Sequence, residues 1–232
     1  MPLSPRFTKG NAYLGQMVYT WNLPSGYSCP GALACQTFAD RATGRITYGE
    51  ARRKMDTFRC YSATGERYPA VRDVVWANFE VVKKGSAEEI AQVLAVCLPD
   101  GAERVRIHAG GDFFNQAYFD AYFDGWLLFC SSRPDVVFWA FTKSLTYWVA
   151  RLERIPANLT LQASYGGRYD DLIVPHHLKY AKVVRSIDEA FGLGLEIDTD
   201  DTLAMTGSSP FALLEKSYTR KQHQLLMDFP AG

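Results

Sequence analysis

Three cysteines carry the first chemical signal. Cys29 and Cys35 stand as C-x5-C in the Pro- and Gly-rich stretch "LPSGYSCPGALACQTF", and Cys60 follows in "FRCYSA" after a gap of 24 residues. A metal or cluster loop needs thiolates outside regular structure, on backbone bent enough for several sulfurs to converge. "CPGALAC" meets that local need. Three thiolates leave a tetrahedral zinc one ligand short, whereas they suit a 4Fe-4S cluster with one open iron. The spacing matches no common zinc or ferredoxin signature, so three unrelated loop cysteines remain the rival reading. Cys97 and Cys130 lie on apolar helical stretches, where a buried core thiol is expected.

"HAGGDFF" is the second signal. Gly110 and Gly111 let backbone approach a ligand, and Asp112 could accept hydrogen bonds from an amine or a sugar hydroxyl, or serve as an acid or base. His108 is a candidate proton carrier or ligand, although a strand histidine is more often structural. Lys143 and Ser144 end an apolar strand and could contact a phosphate or carboxylate. Tyr165 and Arg168 in "SYGGR" could stack on and clamp a ligand. Asp198, Asp200 and Asp201 in "EIDTDD" offer carboxylates to a hard cation, against the commoner role of a solvated loop or cap. His176 and His177 are adjacent and read as surface or cap residues.

The elements that must position these groups follow from periodicity. "QMVYTWNLP" reads as a strand closed by Pro24 and Gly26, so the cysteine loop follows the first strand. Residues 71–85 carry Val75, Phe79 and Val82 at helical spacing, and Ser86 with Glu89 makes a capping box for a second helix. "RVRIHA" is a short strand, and a helix from Asn115 is expected to gather Tyr118, Phe119, Tyr122, Phe123, Trp126 and Leu127 on one face. "DVVFWAF" is a strand buried on both sides, "TKSL" leads into a helix through about Arg154, and "NLTLQAS" and "AKVVRS" are further strands. Alternation of this kind gives a parallel sheet covered by helices. The expectation is a single α/β domain over residues 1–232, a partial or complete TIM-like barrel, with a polar excursion over 29–60. Ligands of parallel sheets sit at the carboxyl ends of the strands, which sends the cysteine, "GGDFF", "TKS" and "YGGR" loops to one rim.

Composition narrows the function classes. The chain has 25 Lys plus Arg against 25 Asp plus Glu, so no bulk basicity points to nucleic acid. A local basic segment remains in Arg41, Arg45, Arg52, Arg53 and Lys54, within a stretch that reads as a short hairpin or ribbon. No window has the apolar run of a membrane span, and no leader is apparent, so the expected location is cytoplasmic, with no membrane partner. Five cysteines in such a chain read as reduced thiols.

The segments "NLPSGYSCPGALAC", "FRCYSA", "RIHAGGDFFNQAYFDAY", "FWAFTKSL" and "IDTDDTLAM…SSPFALL" resemble the gene product 88 family, proteins of phages and mobile elements. The resemblance runs from about residue 20 to about residue 214. It implies a phage-type protein, cytoplasmic in the host cell, and names no activity. A weaker likeness is to radical S-adenosylmethionine enzymes, whose cluster loop follows the first barrel strand and whose "GGE"-like segment holds the methionyl amine. That likeness implies a 4Fe-4S cluster on Cys29, Cys35 and Cys60, S-adenosylmethionine near Gly110, Gly111 and Asp112, and a small-molecule, nucleotide or nucleic-acid substrate. The cysteine spacing differs from the C-x3-C-x2-C of those enzymes. Two other readings stay open: a non-catalytic binding protein stabilised by a cluster or zinc, and a zinc-containing transglycosylase-like enzyme using Asp112.

Overall fold

A computed structural model describes residues 4–10, 14, 17–49, 60–123 and 128–215. Arg52, Arg53, Lys54, Trp126, Leu127 and the tail from 216 lie outside the described residues. β1 (Thr8–Lys9) pairs antiparallel with β2 (Val18–Trp21), and β2 opens a parallel series. That series continues through β5 (Arg104–Ile107), β6 (Val137–Thr142), β7 (Leu159–Ser164), β8 (Tyr180–Val184), β10 (Phe211–Leu214) and β9 (Glu196–Ile197). The result is one mostly parallel eight-stranded sheet, with β3 (Thr37–Ala39) and β4 (Ile46–Tyr48) forming a separate antiparallel ribbon. This ribbon is the short hairpin expected in the polar excursion.

The α/β class and the parallel sheet are as the sequence predicts. A closed barrel is not: among the described residues no ladder joins β9 to β1 or β2. The strand order advances steadily from β2 to β8 and turns back only where β10 enters between β8 and β9.

Local chemistry accounts for the helices. In α2 (Pro69–Val82), Pro69 takes the first helical position, where its missing N–H costs nothing. The capping box of α3 (Ala87–Cys97) forms as expected, with Glu89 N–H donating to Ser86 Oγ and Ser86 N–H donating to Glu89 Oε2 at 2.8 Å. Asn115 caps α4 (Gln116–Asp120) by accepting from Tyr118 N–H at 2.8 Å. The helix predicted from Asn115 is shorter than expected, because Tyr122 and Phe123 N–H turn to the carbonyls of Phe119 and Asp120 in three-residue steps. The helix after "TKSL" likewise ends early: α6 is Leu145–Val149, and a separate 3₁₀ turn covers Leu152–Arg154.

Both sheet faces are buried. Val105, Ile107, Phe138, Ala140 and Leu161 pack with Ile90, Leu94, Phe119, Phe129 and Trp148 in the larger core. On the opposite face Val18, Trp139, Ala181 and Phe211 meet Ala204 of α8 (Thr202–Thr206). This double burial is why β6 reads as a continuous apolar run. Cys130 is in the larger core and the partly buried Cys97 packs against it, as core thiols should.

Candidate metal and ligand cavity

The chain leaving β2 is tied down along its length. Leu23 N–H donates to Gly110 O, Ala34 N–H to Gly166 O, and Arg168 N–H to Gly31 O, each at 2.9 Å. Gly31 crosses the end of β6 so closely that a Cβ there would lie 2.1 Å from Lys143 O. The cysteine loop therefore lies over the ends of β5, β6 and β7. Cys60 reaches the same place from the other side, as the extended residue before α1 (Tyr61–Gly65).

Cys29, Cys35 and Cys60 line one cavity of about 360 Å³, together with His108, Gly110, Gly111, Asp112, Lys143 and Ser164. Three cysteines up to 31 positions apart thus share one space. All three residues keep partial exposure. Burial pushes the Cys29 thiol well above the usual range, and Asp112, Cys60 and Cys35 push it further. Burial also raises Cys35; Lys143 opposes this, while Cys60 and Asp112 add to it. Without a cation, Cys29 and Cys35 stay protonated at neutral pH, whereas a bound cation would reverse that preference. Among the described residues no group of three His, Cys, Asp or Glu side chains is already drawn to metal-ligand spacing. The thiols fit a thiophilic ion or cluster in donor type and in shared placement, and binding would have to bring the sulfurs closer.

Asp112 is buried and held by three donors: Phe113 N–H at 2.8 Å, Thr142 Oγ–H at 2.6 Å and Lys143 N–H at 2.9 Å. Burial raises its pKa, while those hydrogen bonds pull it back. It locks the loop after β5 to the end of β6 beside Cys29. Lys143 Nζ donates to Ser164 O, Ser164 Oγ and Tyr165 O at 2.6–2.8 Å, so its ammonium braces β7 at the cavity wall.

His108 adopts φ +62° and turns its imidazole into aromatic packing, edge-on to Phe113 and bonded through Nε2 to Tyr118 OH at 2.8 Å. Burial lowers its pKa to about 3, which keeps it neutral. The structural role favoured from the sequence fits this placement. Gly110 and Gly111 border the cavity, and the space their missing Cβ atoms leave is used by protein. A Cβ would lie 1.9 Å from Ser62 Oγ at Gly110 and 2.6 Å from Leu23 Cβ at Gly111. Tyr165 packs edge-on to Tyr180, and neither Tyr165 nor Arg168 borders the cavity. The loop they occupy instead holds the cysteine loop through backbone. His176 and His177 lie in the turn before β8, away from the cavity.

The far wall holds a network that residue spacing did not reveal. Arg106 Nη1 pairs with Asp201 Oδ2 at 2.7 Å, and Arg106 Nη2 donates to Tyr61 OH at 3.2 Å. Trp139 Nε1 donates to the same Asp201 oxygen at 3.1 Å. Burial works against the Arg106 charge, and Tyr61, Asp201 and Asp198 outweigh it. Asp198 accepts Asp200 and Ala204 N–H groups, so much of the acidic run organises its own loop. Strand alternation held the missing signal: with Val105 and Ile107 facing one core, Arg106 must face the other side.

The Gene product 88 family model matches residues 5–225. The chain belongs to the gene product 88 family. This gene product 88 protein has no match among curated proteins or solved structures. The radical S-adenosylmethionine likeness gains no support from the family match. Among the described residues no helix is long and apolar enough to cross a membrane.

Proposed function

We propose that this protein holds an iron–sulfur cluster, 4Fe-4S in kind, through Cys29, Cys35 and Cys60. The observation that carries the reading is the arrival of these three thiols, from two separate segments, at one cavity over the strand ends. A cluster with three protein ligands and one open iron would supply one-electron chemistry. The protein's own contribution is to brace the loop through Gly31, Gly110 and Asp112, and to wall the remaining space with Lys143, Tyr61 and Arg106. The sharper form of this reading is a radical S-adenosylmethionine-like enzyme acting on a nucleotide or nucleic acid in the host cytoplasm. A second reading rests on how firmly backbone bonds already pin the loop: a metal or cluster there fixes the excursion from Cys35 to Cys60 in a non-catalytic binding protein. Zinc in a transglycosylase-like enzyme using Asp112 is the third.

Anaerobic purification with iron, sulfide and zinc analysis tests the proposal, beside Cys29→Ala, Cys35→Ala and Cys60→Ala. Iron and sulfide in equal amounts, lost in each variant, are expected. Colourless zinc-loaded wild type would remove the cluster. S-adenosylmethionine cleavage on chemical reduction then separates the enzyme from the binding protein.

A further inference from the structure

We infer that the β3–β4 ribbon and its seat on α1 and α2 form a contact surface for single-stranded nucleic acid. The inference adds a partner to the cavity reading and stands on different residues. Its organiser is Arg72, a buried guanidinium on α2 that makes no base contact itself. It donates to the carbonyls of Arg41 and Ala42 on the ribbon turn, and to those of Glu66 and Arg67 after α1. The turn is thereby held against the α1–α2 junction, and a Cβ on Gly44 would lie 3.1 Å from Arg67 Cα. Arg45, which follows Gly44, and Arg67 are both exposed.

Two of the carboxylates nearby are occupied. Asp40 caps the turn by accepting from Ala42 N–H, Thr43 N–H and Thr43 Oγ, and those bonds hold its pKa down. Glu80 is shared between Arg41 and Lys83. Arg45 and Arg67 have no ion-pair partner among the described residues, so they are open to phosphate.

Aromatic rings flank these cations. Arg41 lies over Trp76 at 4.8 Å, Trp76 meets Tyr27 at 5.1 Å, and Tyr27 is 46% exposed. Tyr68, next to Arg67 in the chain, is 69% exposed. The exposed rings of Tyr27 and Tyr68, together with the unpaired Arg45 and Arg67, suit unstacked bases on a phosphate backbone, since any base offers a π-face. A stacked duplex offers phosphates but no free base faces. The surface also lies one short helix from the cavity: α1 runs from Tyr61 on the cavity wall to Gly65, a rise of about 7.5 Å for five residues.

The test is fluorescence anisotropy of a labelled 20-nucleotide oligothymidylate with the full chain, titrated from low to moderate salt. Wild type should bind, and R45A/R67A should reduce the slope of log K against log salt by about 1.4, or 0.7 for each lost phosphate contact. Tyr68→Ala should weaken binding roughly tenfold with the slope unchanged. Arg104→Ala, at the amino-terminal end of β5, should change neither. Absence of wild-type binding at low salt would overturn the inference. So would equal binding to a duplex of the same length with no effect of Tyr68→Ala, which marks adsorption of any polyanion. Circular dichroism checks that these exposed substitutions leave the fold intact. Metal content is read separately, so failure here leaves the cluster proposal standing, and the reverse holds too.

Discussion

Gly31 passes the end of β6 with room for no side chain: a Cβ would sit 2.1 Å from the Lys143 carbonyl oxygen. The contact is backbone on backbone, so no flexible side chain can yield. Gly31→Ala should cost about 1–3 kcal/mol as a small overpacking change. Urea unfolding should show a lower midpoint with an unchanged m-value. The displaced loop should also retain less metal, because Cys29 and Cys35 flank Gly31. Wild-type stability in the variant would mean that the loop is not clamped there.

The elevated thiols make a second prediction. Zinc added to metal-free protein at pH 7 should release at least two protons per ion, from Cys29 and Cys35, measured with a pH indicator in weak buffer. Cys29→Ala should lower that release by about one proton. Release of none would place the ion elsewhere.

His108 supplies a pH dependence. Its folded pKa of about 3 lies below the ordinary 6.5, so between those values the unfolded chain binds a proton that the folded chain does not. Stability therefore rises with pH across that window, by up to about 1.4 kcal/mol per pH unit from this group. His108→Asn tolerates the positive φ and should flatten the rise in unfolding free energy between about pH 4 and pH 6. An unchanged slope would show that other groups dominate acid unfolding.

How much of this was legible in the sequence depends on the scale of the signal. The β/α alternation and the capping box at Ser86 were visible because each is decided within a few residues. That Cys29, Cys35 and Asp112 should share one rim followed only from the rule that parallel sheets place their loops together. Sheet closure was not, since it depends on whether the last strands find the first. β9 and β10 are two and four residues long. They carry too little pattern to be counted. Arg106 escaped notice because its partner, Asp201, is 95 positions away, and only the fold joins them.

That pair gives the last prediction. Arg106 and Asp201 are both largely buried, with side chains 13% and 11% exposed, and Tyr61 and Trp139 occupy further sites on the two ions. Removing one ion strands the other in a poorly solvated wall, which costs about 3–5 kcal/mol for a buried pair. Arg106→Met and Asp201→Asn should each approach that loss. The double variant should lose much less than the sum, because neither charge is left unpaired. Asn suits the positive φ of residue 201, so backbone strain does not confuse the cycle. Additive losses in chemical denaturation would mean that the two groups act separately, and that the far wall of the cavity is held by the Asp198 loop rather than by this ion pair.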